Sequence, residues 1–526
     1  MSTVTQMRNR RISLVALVVF ISCTGGESSP ARRTLIDSRD TYDPRSLDPA
    51  LSTDVPTGRA VAYVFDGLVR FTPDAQIVPG LAREWTVSND GLTYTFHLRS
   101  GVKFQDGRPF VARQVISSFM RALDPATKGG RGWPLYPIAG AKDYADGKAK
   151  QVAGLSAPND STVIIRLTEP FAIFPKLLAM PVASIVPDSV PSNFGEHPIG
   201  TGPWKFVEWK HDDYLLFAKN PTYWGTAPKA DSLRARIIPE PSTAVAEFES
   251  GNVDVLYVPE AETRNWEDTD DKKAMLESAP ALRMLYVAIN TTRGPLADPR
   301  VRQAMNYAVD SRAILNSIMS GRGNIATGVI PPSLAGGDST RKGYTHDVAK
   351  AKQLLAAAGK SGGIDVELWS SQTAPFPRIA QAIQANLAEA GFRVKLVQRD
   401  ASSMREAARA GQTDMALKDW FADYPDGEDF LYPLLHSTNK GVGGNVSFYN
   451  NPKFDQLVSA ARRELDDAKR VEMYKQADQM AYDDAPMIYL FFYKELYAVQ
   501  PWITGFKVPS IFTGQNWTDV SMKRQP

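Results

Sequence analysis

Thiol and imidazole groups are scarce in this sequence of 526 residues. It contains one cysteine and five histidines. The histidines stand singly, so the usual ligand spacings for zinc or haem cannot be assembled from neighbouring residues. The sequence therefore predicts neither a metal site nor a bound cofactor. The histidines are His97, His197, His211, His346 and His436.

An excess of charge of one sign is also missing. Sixty basic residues oppose fifty-eight acidic ones, which gives a net charge of +2. Proteins that bind nucleic acid usually carry a marked positive excess, so the sequence predicts no nucleic-acid partner. The hydrophobic and charged fractions, 43% and 22%, are those of a globular protein whose length allows two or three domains.

Long hydrophobic runs are absent except for one short segment near the start. Arg8, Arg10 and Arg11 precede an apolar run over 12–21, which is too short for a permanent transmembrane helix. A basic start, a short apolar run and small residues after it predict an export signal. The segment resembles a bacterial lipoprotein signal peptide over 1–23. That resemblance implies that Cys23 becomes the lipid-modified first residue of the mature chain, although Phe20 departs from the usual box and leaves cleavage without lipidation open.

Recognisable catalytic motifs are missing as well. The sequence has no G-x-S-x-G elbow and no H-E-x-x-H helix. An enzyme would have to assemble its site from distant residues, which the sequence does not indicate. We therefore predict that the protein is not an enzyme and keep an exported peptide hydrolase as the alternative from another functional class.

Alternation of strand and helix patterns dominates the second half of the chain. Asp298-Pro299, Asp310 and Asp347 predict helix starts, and Gly391 predicts a helix end. Strands are predicted over 365–369 and 393–397, on either side of a helix over 379–390. This β-α-β order predicts a mostly parallel, doubly wound domain. The first half favours strands, with a hairpin pairing 205–209 with 214–217.

A cluster of carboxylates among aromatic rings stands out over 419–430, with no Lys or Arg inside it. Asp423 follows a predicted strand over 414–418 and lies between Trp420 and Tyr424 in the sequence, just before Pro425. A carboxylate partly shielded from water attracts an ammonium group more strongly than one in bulk solvent, because screening is weaker. The cluster predicts a cation receptor, and an acidic surface turn is the alternative that this window leaves open.

Short blocks along most of the chain resemble the extracytoplasmic solute-binding proteins of ABC importers, specifically the family that carries dipeptides and oligopeptides. Each block is short, but their order and spacing together are specific at the level of the family. The blocks are Ser46-Leu47-Asp48-Pro49, Phe65-Asp66-Gly67-Leu68, 79–85, 90–99, 101–107, Gly200-Thr201-Gly202-Pro203-Trp204, Asn220-Pro221-Thr222-Tyr223-Trp224 and 298–304.

The resemblance implies an α/β fold of the periplasmic-binding-protein type, with two lobes hinged around a cleft and an additional domain inserted in the first lobe. The expected boundaries follow from it. The signal peptide takes 1–23 and a tether 24–33; lobe I takes 31–66, 190–285 and 505–526; the inserted domain takes 67–189; and lobe II takes 286–504.

The resemblance also implies the ligand site. In peptide-binding members, an Asp in a Trp-x-x-Asp-Tyr stretch receives the α-ammonium group, and here that Asp is Asp423. Strand-like backbone must satisfy the main chain of an extended peptide, because each unpaired buried group costs about 1–3 kcal/mol. The expected ligand-binding residues are Asp423, Trp420, Tyr424, Phe421, Lys418 and Asp419, with Asp54 and Val55 on a facing segment of the other lobe.

The identity of the solute stays open at this point. Dipeptide-type members hold the ligand carboxylate with an Arg after the strand that matches 365–369, where this chain has Ser370-Ser371-Gln372. This favours longer peptides, or a carboxylate held by another basic residue. Metal chelates, haem, oligosaccharides and opines are alternatives within the family. We expect an extracytoplasmic monomer whose partners are a peptide, the membrane subunits of a permease and, if Cys23 is acylated, the membrane.

Overall fold

The computed structural model describes residues 35–523, so the predicted signal peptide, the tether and Cys23 lie outside the described residues. Within that range, the chain forms nineteen strands. The strands are β1 Leu35–Asp40, β2 Val69–Phe71, β3 Ile77–Pro79, β4 Ala82–Val87, β5 Thr93–Leu98, β6 Leu155–Asn159, β7 Thr162–Arg166, β8 Trp204–Lys210, β9 Tyr214–Lys219, β10 Ser232–Ile237, β11 Val255–Tyr257, β12 Leu276–Ile289, β13 Gly323–Ile325, β14 Ile364–Ser371, β15 Phe392–Arg399, β16 Met415–Phe421, β17 Met487–Val499, β18 Ile503–Thr504 and β19 Ser521–Met522.

Fifteen α-helices lie between these strands in the described range. None of them is both long enough and apolar enough to cross a bilayer. The helices are α1 Val55–Val64, α2 Ala112–Leu123, α3 Ala141–Ala145, α4 Phe174–Leu177, α5 Pro241–Glu249, α6 Thr263–Glu267, α7 Asp270–Lys273, α8 Pro299–Ala308, α9 Ser311–Ile318, α10 Val348–Ala357, α11 Phe376–Ala390, α12 Ala401–Arg409, α13 Glu428–Leu435, α14 Pro452–Arg463 and α15 Asp467–Asp484.

The predicted helix boundaries are confirmed where the sequence carries a cap. Asp298, Asp310 and Asp347 each accept a hydrogen bond from a backbone N–H in the first turn of α8, α9 and α10. Gly391 ends α11 with a φ of 106°, a left-handed conformation that a side chain would disfavour. The hairpin of β8 with β9 and the strands β14 and β15 also lie where the sequence predicts them.

One large sheet runs through the molecule in the order β15-β14-β16-β12-β17-β11-β1-β10-β9-β8, with β13 beside β17. The long strands β12 and β17 pair antiparallel in its middle. The last residues of β17 also pair with β11, and the second half of β12, from Arg283 to Ile289, also pairs with β16. These two strands therefore connect the halves of the molecule, and the predicted boundary between 285 and 286 falls inside β12.

The prediction of a mostly parallel domain is wrong. Among the described strands, parallel pairing is restricted to β14 with β15 and β16, and to β1 with β10 and β11. The β14-α11-β15 unit is parallel because a helix carries the chain back across the sheet. Some antiparallel pairs, such as β8 with β9, are hairpins, whereas β12 pairs antiparallel with β16 and β17, which lie far from it in the sequence.

A separate four-stranded antiparallel sheet, β4-β5-β7-β6, lies within the predicted inserted domain over 67–189. Helix α2 packs on it, and the buried side chains of β5 and α2 alternate with periods of two and of three to four residues. The predicted fold, a two-lobed α/β structure with an additional domain, is confirmed. The individual domain boundaries stay predictions.

Candidate functional site

Strand β16 lies between β14 and β12 in the large sheet, and the acidic and aromatic cluster begins at the end of this strand. Its residues pair with β12 from Met415 to Phe421, and the Ala422 N–H then donates to the Leu282 carbonyl at 2.8 Å. The next N–H, that of Asp423, donates to the Asp429 carboxylate at 2.8 Å. Two successive anchors thus fix the backbone on which the Asp423 side chain is carried.

The Asp423 side chain lies on the wall of a cavity of about 810 Å³. Chain segments from the inserted domain form one wall, and segments around α13 and α14 form the other. This volume lies within the range of small-molecule binding sites. The cavity is lined by Gly130, Arg131, Trp133, Tyr136, Pro137, Thr168, Glu169, Phe171, Leu177, Arg409, Trp420, Asp423, Tyr424, Glu428, Asp429, Tyr432, Pro433, Asn439, Gly443, Gly444 and Arg462.

An ion pair spans the cavity at Asp423. The Arg131 guanidinium donates through Nη2 to Asp423 Oδ1 at 2.7 Å. The two side chains keep 28% and 13% of their exposure, so the pair is shielded but reachable. Burial raises the pKa of the Asp423 carboxyl above its ordinary value of 3.8, and the positive charge of Arg131 opposes that rise.

Asp429 lies directly behind Asp423 and is almost completely buried. Burial, reinforced by the negative charge of Asp423, raises the pKa of the Asp429 carboxyl well above 3.8. Two adjacent buried carboxyls do not ionise together easily, and of the two it is Asp423 that has a cation, Arg131, beside it.

Further ion pairs join the two walls around the cavity. Lys176 on the inserted domain contacts Asp426 at 2.7 Å and donates to the Pro425 carbonyl at 2.9 Å. Arg462 pairs with Glu428 at 2.8 Å on one wall and reaches across to the ring of Phe171 at 4.8 Å. Because these contacts connect distant chain segments, they hold the walls together over the enclosed space.

The loop that presents Arg131 is fixed by close packing. A Cβ atom on Gly129 would lie 2.6 Å from the Ala50 carbonyl oxygen, so only glycine fits there. A Cβ on Gly130 would lie 3.5 Å from the Thr53 methyl group. The segment before α1, which the sequence analysis places opposite Asp423, therefore supports the Arg131 loop.

The residues predicted to bind ligand separate into two groups in the structure. Trp420, Asp423 and Tyr424 line the cavity, and the Tyr424 hydroxyl donates to the buried Glu428 carboxylate. Lys418, Asp419, Phe421, Asp54 and Val55 do not line it. Asp419 pairs with Arg283 at 2.6 Å, and the Phe421 ring contacts Phe512 with centroids 6.0 Å apart.

The remaining two predicted residues belong to a helix start. Asp54 is the N-cap of α1, where its Oδ1 accepts from the Thr57 N–H at 3.0 Å, and Val55 is the first residue of that helix. Their backbone is therefore not free to act as a strand beside a ligand.

One edge of β16 is open beyond its contact with β14. The two strands pair only at Leu368 with Met415 and at Trp369 with Ala416. In the described part of the chain, no other strand lies along that edge from 417 to 421. Main-chain pairing between a ligand and the backbone around Lys418 stays a prediction. Burial lowers the pKa of the Lys418 ammonium group to about 8, and nearby Arg405 and Arg409 act in the same direction.

Sequence reasoning missed Arg131, Arg409 and Arg462. Arg131 carries a usable signal, because it lies in Gly129-Gly130-Arg131-Gly132-Trp133, a glycine-rich loop with a cation and a large aromatic ring. The other two lie on ordinary amphipathic helices, where an exposed arginine is unremarkable. Only the folded structure brings the three to one cavity.

This arrangement of two α/β halves, an additional sheet domain and an enclosed charged cavity agrees with the comparisons with known proteins. The model of family 5 of the bacterial extracellular solute-binding proteins matches residues 76–442. The chain belongs to this family. Heme-binding protein A of Haemophilus influenzae is 32% identical over 473 residues, covering 85% of this chain and 84% of the relative. The dipeptide-binding protein of Escherichia coli is 31% identical over 510 residues, covering 91% of each chain.

Solved structures of family 5 proteins give the same fold. The periplasmic binding protein DppA of Helicobacter pylori in complex with peptide STSA has a TM-score of 0.78 at 27% identity, covering 94% of this chain and 99% of that one. HbpA2 from Haemophilus parasuis has a TM-score of 0.80 at 27% identity, covering 93% and 100%. As a family 5 binding protein, the chain is an extracytoplasmic, non-enzymatic component of an ABC importer, which decides against the hydrolase alternative.

Proposed function

We propose that this family 5 protein captures peptides in the cavity between its inserted domain and the α13–α14 wall and delivers them to the permease of its importer. The observation that carries the proposal is the Asp423 carboxylate, which lies on the cavity wall between aromatic side chains and has a fixed backbone. A shielded anion at that position binds the α-ammonium group of a ligand by a charge-assisted hydrogen bond.

The open edge of β16 supports a peptide over other solutes. Backbone N–H and C=O groups along 417–421 can pair with the main chain of an extended ligand, which satisfies its polar groups without reading its side chains. Two of the relatives described above support the same choice: one is named for binding a dipeptide and one was solved with peptide STSA. Recognition through the main chain does not depend on the side chains of the ligand, so the proposal covers peptides of different sequence.

The decisive experiment compares free and blocked amines. Purified protein is titrated by calorimetry with a mixture of di-, tri- and tetrapeptides that includes α-linked and γ-linked members, and with the same mixture after N-acetylation. We expect heat of binding with the free peptides and at least a tenfold loss after acetylation, because a hydrogen bond to a charged group contributes about 1.5–3 kcal/mol. Equal binding of both mixtures contradicts the proposal, and mass spectrometry of solute retained after gentle purification then identifies the true ligand class.

We also propose that Cys23 is the acylated first residue of the mature protein, which keeps the receptor beside its permease. The expected result is an intact mass that exceeds that of the mature chain by the mass of the lipid groups. A Cys23→Ser variant expressed in the same host serves as the control and should lack the added mass. A mature protein that begins elsewhere, with no added mass, contradicts this assignment.

A further inference from the structure

A second cavity lies where the four-stranded sheet meets the loop after β9. Its volume is about 470 Å³, and among the described residues its wall includes Arg83, His97 and Arg99 but no Asp or Glu. None of its wall residues also lines the cavity that contains Asp423. Two arginines and a histidine without a carboxylate favour an anion as the occupant. The other wall residues are Leu98, Ser100, Ser161 and Trp224.

The backbone of β4 and β5 brings these basic side chains to one face of the sheet. His97 and Arg99 are two residues apart at the end of β5, and alternate residues of a strand point to the same face. The pairing of β4 with β5 shifts its register between Ala82 and Glu84, so Arg83 is the extra residue of a bulge. A bulge redirects the side chain that it carries, and here that side chain joins the cavity wall.

Arg99 is fixed in place but has no counter-ion. Its Nε donates to the Gly80 carbonyl at 2.8 Å, and its guanidinium carbon lies 4.6 Å from the centre of the Trp224 ring. Trp224 is fixed in turn, because its Nε1 donates to the buried Asp66 carboxylate at 2.9 Å. Across residues 35–523, no carboxylate lies within ion-pair distance of Arg99, and its Nη1 and Nη2 donate to no protein acceptor. A guanidinium that is already ordered loses little conformational entropy when it binds an anion.

The other donors on the wall suit an anion with more than two oxygens. The His97 ring forms no hydrogen bond with any described residue, and Ser100 adds a hydroxyl. Arg83 pairs with Glu84 at 3.2 Å, but both side chains are 59% exposed, so the pair is weak and either member can change partner. A carboxylate has two oxygens, which Arg99 alone satisfies. A phosphate group has three acceptor oxygens and a charge of about −2 near pH 7, and it can use the additional donors.

We propose that this cavity binds a phosphate ester, with Arg99 as the main anchor and with Arg83 and His97 as further donors. A volume of about 470 Å³ lies in the range of small-molecule sites, so it leaves room for the group that the phosphate esterifies. The inference is independent of the proposed peptide site, because the two cavities share no wall residue. A soluble ester and a phospholipid head group carry the same chemistry, and the experiment separates these two sources.

Calorimetry at constant ionic strength tests the soluble source with glycerol 3-phosphate, inorganic phosphate and acetate. We expect the wild-type protein to bind both phosphates and to bind acetate at least about tenfold more weakly, because acetate forgoes at least one hydrogen bond between charged groups. Co-sedimentation with phosphatidylglycerol vesicles, competed by glycerol 3-phosphate, tests the lipid source. The vesicle test uses the Cys23→Ser protein, so that an N-terminal lipid does not anchor it.

Three variants assign binding to this cavity, and thermal unfolding checks that each one folds. Arg99→Gln should weaken binding of the phosphate probe by about tenfold or more, because it removes a charged donor. The double variant Arg83→Gln with His97→Gln leaves the contacts of Arg99 in place and should weaken binding by about threefold or more, since partly exposed charges contribute less. Arg113→Gln is the control and should bind as the wild type does, because this arginine pairs with Asp188 at 2.9 Å and does not line the cavity.

Each outcome decides for or against the site. Binding of glycerol 3-phosphate that Arg99→Gln and the double variant weaken supports the proposal with a soluble ester as the source. Vesicle binding with the same dependence, but without binding of the soluble probes, supports it with a lipid head group as the source. The proposal is overturned if neither phosphate source binds, if acetate binds as tightly as phosphate, or if the double variant and any folded Arg99→Gln protein bind as tightly as the control.

Discussion

Asp423→Asn is expected to lower the affinity for free-amine ligands by about two to three orders of magnitude. Asparagine has the same shape and still accepts a hydrogen bond, so the variant removes the charge and little else. Truncating one member of a shielded charge pair costs about 2–5 kcal/mol, because the partner left behind loses its counter-ion. Here that partner is either the ligand ammonium or Arg131, whose only hydrogen bond among residues 35–523 goes to Asp423.

The pH dependence of binding provides an independent readout of the same carboxyl. Ammonium binding needs ionised Asp423, so affinity should be full above the pKa of this group and fall as the pH drops through it. Burial raises that pKa, and the loss should therefore begin at a higher pH than an ordinary value of 3.8 would give. In the asparagine variant, the residual affinity should lack this transition.

Asp419→Asn is the matched control for this experiment. Asp419 lies four residues away in the same acidic cluster and also pairs with an arginine, but it contacts Arg283 outside the cavity. The affinity of the Asp419→Asn variant for free-amine ligands should match that of the wild type. Equal losses in the two variants would contradict a specific anchor and point to a general effect of negative charge near the cavity.

The sequence predicts the local elements of this fold well because their signals are local. Asp298 and Asp347 accept bonds from N–H groups two and three residues away, and Gly391 needs only its own backbone conformation. The direction in which distant strands pair has no such local signal. Strands β12 and β17 are more than 190 residues apart, and nothing in either strand specifies that they pair antiparallel with each other. The expectation of a mostly parallel sheet fails for that reason.

The candidate site also has one part that the sequence reveals and another that only the folded chain brings together. The carboxylate among aromatic rings at 419–430 can be recognised because its members are contiguous, and the structure places Asp423 on a cavity wall. Arg131 is 292 residues away from Asp423 in the sequence. The acidic stretch contains no Lys or Arg, yet four of its carboxylates pair with cations from elsewhere in the chain: Arg131, Lys176, Arg283 and Arg462. Charge balance in a folded protein depends on tertiary contacts that a sequence window does not contain.

Asp478→Asn is expected to be the most destabilising substitution among the charge pairs away from the cavity. Asp478 on α15 is fully buried, and its two oxygens accept from the Val329 N–H at 2.6 Å and from Arg341 Nη1 at 2.6 Å. Breaking a buried ion pair by neutralising one member costs about 3–5 kcal/mol of unfolding free energy, because the other charge stays buried without its close counter-ion. Arg341, with only 8% of its side chain exposed, is that charge, and its other carboxylate contact, Asp338, is more distant at 3.9 Å.

Thermal and urea unfolding of four variants, two single variants of the buried pair, their double variant and a control, measure this effect and its origin. Asp467→Asn, on the same helix, removes the ion pair of an 84% exposed carboxylate with Arg470 and should cost less than about 1 kcal/mol. The double variant Asp478→Asn with Arg341→Gln should be less destabilised than the sum of the two single variants, because no charge is then left unpaired. A strictly additive double variant, or an Asp478→Asn variant as stable as the Asp467→Asn control, would show that the loop over 327–341 is held by packing alone. The expected result would show that the buried pair holds this loop, because Asp478 on α15 binds both the Val329 N–H and the Arg341 side chain of the loop.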